Sequence, residues 1–193
     1  MKIIKFFKQN CLKLTLIFLI NFLCNNYAFA QKNSQENFLN FPEINENFSK
    51  PSSLGIHNLK VWGLKIYKIE LLSETKNFSY QNKLAIIINY QRDFAKDDLI
   101  KRSIEEISRA NKINDKTLLK NYQTKLEEIF FDVKKGDRKT AFFDPKNGVK
   151  LYFNGKFSGA IKDLIFAKRF IDIWLGDKSS YPQMTKDILG KNE

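Results

Sequence analysis

Apolar and polar positions along the second half of the chain follow two periods. Residues 138–143 (RKTAFF), 149–153 (VKLYF) and 156–161 (KFSGAI) read as strands separated by turn residues. Pro145 to Gly148 form one turn. Asn154 and Gly155 suit a two-residue hairpin, because both positions need positive φ and these two residues tolerate it. From 164 to 175 (LIFAKRFIDIWL) apolar residues occupy most of a helical circumference, which predicts a helix largely buried against the sheet. Asp163 is placed to cap its start and Gly176 to end it. Ser180, Pro182 and Gln183 mark a last short helix, with proline tolerated in its first turn.

In the first half, residues 59–72 (LKVWGLKIYKIELL) have mixed alternation. Trp62, Leu64 and Ile66 share one face, while Tyr67, Ile69 and Leu71 share the other. This predicts one long strand that switches its apolar face at a bend or bulge around Gly63. Residues 83–91 (KLAIIINYQ) predict a second strand, covered on both faces. Leu99, Ile100, Ser103, Ile104, Ile107 and Ala110 then fall at helical spacing, with Lys101, Arg102, Glu105 and Glu106 opposite and Asp97 or Asp98 as cap. Leu118, Leu119, Tyr122, Leu126, Ile129 and Phe130 mark another amphipathic helix capped by Asp115, and the short link at 111–114 makes an αα-hairpin. Strands joined by hairpins, with helices on one face, give an α+β domain built on an antiparallel sheet.

The N-terminus changes the picture. Lys2, Lys5, Lys8 and Lys13 form a basic region without acids, residues 14–23 (LTLIFLINFL) are a short apolar run, and Ala28-Phe29-Ala30 follows. This is the layout of a secretory signal peptide cleaved near Ala30, and the run is short for a span of about 20 residues. The expectation is a periplasmic or secreted protein with a signal peptide at 1–30. Residues 31–53, rich in Asn, Ser, Glu and Lys, read as a flexible leader, and 54–193 as the folded domain. The only cysteines, Cys11 and Cys24, lie in the segment removed, so the mature chain has neither disulfide nor thiol nucleophile. One histidine, His57, gives no basis for a His-rich metal site, and no cofactor is implied.

The formal net charge of +12 falls to about +8 when those four lysines leave. The excess is dispersed, without the dense basic runs that nucleic acid requires, and a weak attraction to anionic membrane surfaces is the expected consequence. The 18 phenylalanines are enough to build a core and also to line an apolar cavity.

An ordered set of short motifs carries a resemblance: Trp62-Gly63-Leu64-Lys65-Ile66-Tyr67, Tyr90-Gln91-Arg92-Asp93-Phe94, Arg102-Ser103-Ile104-Glu105-Glu106, Gly136-Asp137-Arg138, Phe153-Asn154-Gly155 and Ile173-Trp174-Leu175-Gly176. Over roughly residues 54–190 the chain resembles the bacterial secreted chalcone isomerase-like family. The resemblance implies an open-faced β-sandwich, a large antiparallel sheet packed by helices. In that fold plant enzymes close a flavanone ring, and plastid relatives bind fatty acids with an Arg and a Tyr on the carboxylate. The strand that supplies Thr in the plant enzymes resembles residues 61–67, where no Thr occurs. The helix that supplies Tyr and Asn resembles residues 98–106, which has neither.

The resemblance therefore points to a non-catalytic binder of a small apolar or fatty-acid-like ligand. A buried carboxylate needs a cation and a hydroxyl, and Arg92, Tyr90, Tyr67 and Arg102 are the candidates. Tyr90 and Arg92 share a strand face by period two. Arg102 and Glu106, at i,i+4, also fit a solvated surface pair. The alternatives are an isomerase (intramolecular lyase) acting on an unknown small molecule and a structural or partner-binding envelope protein. The polar site is expected from the early strands and the 98–106 helix, with residues 136–176 supplying walls.

Overall fold

The computed structural model describes residues 38–191, so the expected signal peptide lies outside the described residues. Residues 38–40 form a single 3₁₀ turn, and from Phe41 onward the chain is one compact unit. That unit holds six strands: β1 (Ser52–Val61), β2 (Leu64–Ser73), β3 (Leu84–Tyr90), β4 (Arg138–Asp144), β5 (Gly148–Phe153) and β6 (Lys156–Ile161). They form one antiparallel sheet in sequence order, a meander with each strand paired to the next. The helices are α1 (Pro42–Asn47), α2 (Lys96–Asn111), α3 (Lys116–Ile129), α4 (Leu164–Leu175) and α5 (Pro182–Ile188). No helix among the described residues is long and apolar enough to cross a membrane.

Local chemistry explains most boundaries. Asp115 accepts the Leu118 backbone N–H at 3.0 Å and caps α3, and Asp163 accepts those of Ile165 and Phe166 and caps α4. For α2 the expected caps, Asp97 and Asp98, lie inside the first turn instead. Ala95 holds the cap position, and Asp132 reaches across to accept the Lys96 backbone N–H at 2.7 Å. Asn154 and Gly155, at φ 49° and 83°, make the expected hairpin.

The segment 59–72 is not one bent strand. Trp62 and Gly63 stand at φ 49° and 79°, and Val61 pairs with Leu64, so the chain reverses in a tight turn between β1 and β2. The apparent switch of apolar face is this reversal. A tryptophan at a turn position hid it, since Asn or Asp is the usual signal there.

Period two sorts the strands into two faces. Ile69, Leu71, Ile86, Ile88, Ala141, Phe143, Leu151 and Ile161 join the core formed with α2–α5. Leu72, Ile87 and Phe142 are buried on the other face. There the supposed leader contributes α1, whose Glu43 is buried and accepts hydrogen bonds from Arg138 and Thr140 at 3.0 Å. Phe48 packs on Phe142 with ring centroids 4.6 Å apart. Residues 42–53 are thus helix and strand start docked on the sheet. Scattered polar residues made them look unstructured, but Glu43 is polar because, once buried, it meets the half-buried Arg138.

Candidate functional site

Between the sheet and its main helical layer lies a cavity of about 440 Å³, within the range of about 300–1,000 Å³ typical of small-molecule sites. Its walls are mainly apolar. β2, β3, β4 and β5 supply the floor, and α2, α4 and α5 the cover.

Tyr67 and Tyr90 face each other in register across β2 and β3, and both line the cavity. Their rings meet edge-on at 6.4 Å, and Tyr90 also contacts Phe94 at 5.9 Å. The Tyr67 hydroxyl points to the Met184 sulfur at 3.5 Å. Burial pushes both phenols well above their ordinary pKa, so both remain neutral hydroxyls.

Arg102 also lines the cavity, and its side chain is 53% exposed, which sets it where the cavity meets solvent. Arg92 is exposed and lies outside the cavity lining. β3 ends at Tyr90, so the alternation that would have put Tyr90 and Arg92 on one face stops before Arg92. The three candidates Tyr67, Tyr90 and Arg102 therefore converge, and Arg92 stands apart.

Two further charged groups in the cavity lining are buried, and neither was among the expected ligand contacts. Glu106 is 4% exposed and is not the solvated partner that its spacing suggested. Its carboxylate accepts hydrogen bonds from Ser180 at 2.6 Å and from Arg109, and it pairs with the Arg102 guanidinium at 2.5 Å. Burial alone would raise its pKa, but the Arg109 and Ser180 hydrogen bonds and both guanidinium charges outweigh it and hold the carboxyl below its ordinary value. Arg102 is thus already engaged by Glu106, with Glu105 at 3.7 Å as well.

The second group is Lys139 on β4, in the stretch expected to supply only walls. Its ammonium is buried without a hydrogen-bond partner among the described residues and lies 3.8 Å from the centroid of the Phe130 ring. Burial pulls it down to about 7. Period two was the available signal: Lys139, Ala141 and Phe143 share a strand face, and the last two are core.

A family model described as chalcone isomerase-like matches residues 57–190. The chain belongs to the chalcone isomerase-like family. No curated protein matches in sequence. Among solved structures, a fatty-acid binding protein of Arabidopsis thaliana is similar, with a TM-score of 0.58 at 12% identity, over 75% of this chain and 89% of that one. At that identity the likeness is one of fold: the open antiparallel sheet packed by helices, an α+β architecture.

Proposed function

We propose that this protein binds a small apolar or amphipathic ligand, of fatty-acid type, between the sheet and helices α2, α4 and α5, without performing chemistry on it. The observation that carries this is the mainly apolar cavity, whose carboxylate Glu106 is already committed to two arginines and a serine hydroxyl. A fold neighbour that is a fatty-acid binding protein supports it. Mass spectrometry of organic extracts of the native protein should show a co-purifying lipid, and a fluorescent fatty-acid probe should be displaced by dodecanoate. No extracted lipid together with no probe binding would sink the reading.

The basic and apolar run of the N-terminus supports secretion into the periplasm or beyond. Intact-mass measurement of the protein from envelope fractions should give a chain beginning near Gln31. We also propose weak association with anionic membranes. Trp62 is 97% exposed at the tip of the β1–β2 turn, in a left-handed conformation that costs a bulky residue roughly 1–2 kcal/mol, and Lys60 and Lys65 beside it are exposed. An exposed indole on a strained backbone, displayed between cations, suits the interface of an anionic bilayer. Co-sedimentation with phosphatidylglycerol vesicles should be lost in Trp62→Asn, whereas equal binding by this variant would refute the role of the tip.

A further inference from the structure

Among the described residues Lys139 has no counter-charge. Among the described residues its ammonium makes neither hydrogen bond nor ion pair, and only the face of Phe130 compensates it. An isolated buried charge is costly, and a ring face recovers only part of that cost. The other charges of the cavity do not serve Lys139. Glu106 on α2 is saturated by Arg102, Arg109 and Ser180, and Asp98, one α2 turn before Arg102, is exposed. Tyr67 on β2, Tyr90 on β3 and Tyr181 before α5 complete the titratable lining, and none pairs with Lys139. The residues that α4 and β5 contribute carry no charge.

We propose that the Lys139 ammonium, inside the cavity, holds the carboxylate of an amphipathic acid and so selects acids over neutral lipids, while Arg102 remains bound to Glu106 at the mouth. The proposal rests on the reading of the cavity as a ligand site. A carboxylate beside Lys139 supplies both the missing acceptor and the missing charge. It also reverses the effect of burial. The empty cavity favours neutral lysine above about pH 7, and an opposite charge within about 4–6 Å restores the ammonium. Binding of an acid above that pH therefore takes up a proton, and affinity falls by up to about tenfold for each further pH unit. Binding of a neutral lipid has no such requirement.

The test is calorimetric titration of the purified protein with dodecanoate and with dodecanol, near pH 6.5 and near pH 8.5. Dodecanoate is ionised at both, because both lie above the ordinary carboxylate range. Wild type is expected to prefer dodecanoate at least tenfold at the lower pH and to lose more than tenfold in dodecanoate affinity, roughly 25-fold, at the higher one. In the higher-pH titration, buffers of different ionisation enthalpy should report proton uptake. Lys139→Met is expected to bind dodecanol as wild type does and to show no preference for the acid. Lys139→Arg should keep the preference and lose its pH dependence, and it carries the test if the methionine variant does not fold. Equal binding of acid and alcohol by wild type overturns the proposal and leaves the cavity reading intact. So does a preference that survives in Lys139→Met. Failure of wild type to bind either ligand overturns the cavity reading itself.

Discussion

Lys139 and Glu43 show what burial does to a charge with and without a partner. The Lys139 ammonium is pulled from its ordinary value of 10.5 to about 7, so between those two pH values the unfolded chain holds a proton that the folded chain lacks. Stability must then rise with pH across that interval. Lys139→Met removes this term. The variant is expected to gain on wild type in melting temperature near pH 6 and to lose most of that advantage near pH 9.5, and thermal melts of the two proteins side by side measure it. Glu43 is the opposite case. It is buried on the other face of the sheet, but Arg138 grips it with two nitrogens and Thr140 adds a hydroxyl. Arg138 in turn lies 3.5 Å over the Phe41 ring. Glu43→Ala leaves that guanidinium without its anion and should cost about 3–5 kcal/mol in urea denaturation. The double variant with Arg138→Ala should recover part of the loss, as expected when the pair acts as one unit.

At the scale of elements, the turns and the last helix hold most of the specification. Trp62 occupies a left-handed position that asparagine fills at lower cost, so Trp62→Asn should leave the fold intact and raise its stability by about 1 kcal/mol. A gain in stability with a loss of vesicle binding would separate the tip's function from its folding role. Helix α5 lies against β1 through a close approach. A Cβ on Gly55 would stand 2.0 Å from the Asp187 carbonyl oxygen, and two residues on, His57 Nδ1 meets the Asp187 carboxylate at 2.6 Å. Gly55→Ala must push α5 away from the strand. Because Met184 of α5 touches Tyr67 and lines the cavity, the same change should weaken ligand binding as well as stability. Fluorescent-probe titration of the variant checks this.

For the whole molecule, acid is the condition that loosens several elements together. Burial would raise the Asp187 pKa, but the hydrogen bonds from His57 and Gln183 and the His57 charge hold it below its ordinary value. Glu106 is held low by its arginines and Ser180. A depressed carboxylate contributes stability above its unfolded pKa and loses it as pH falls through the folded one. Stability should therefore decline below about pH 4.5, as α5 loses its tie to β1 and α2 its tie to Ser180. Glu106→Gln should make that decline shallower in acid titrations followed by circular dichroism. A ligand in the cavity acts in the other direction, since it binds only the folded state. At a hundred times its dissociation constant it should add about 2.7 kcal/mol, visible as a concentration-dependent rise in melting temperature.

The sequence by itself determined what depends on neighbours in the chain: helix lengths, the Asp115 and Asp163 caps, the Asn154-Gly155 hairpin and the α+β class. These follow from periodicity and from hydrogen bonds that span a few residues. Tyr67, Tyr90 and Arg102 line one cavity, and Arg92 does not, so three of the four ligand candidates meet there, as far as the sequence could place them. Its misreadings share one cause. Whether a polar residue faces water depends on what packs over it, and that is fixed by residues distant in sequence. Glu43 reads as leader until Arg138 covers it, and Glu106 as surface until Ser180 and two arginines enclose it. Lys139 reads as a solvated strand lysine until Phe130 and the helical layer close above it. Only the tertiary structure decided that this lysine is buried in the cavity with no anion paired to it among the described residues, because burial and the absence of a partner are properties of the assembled fold.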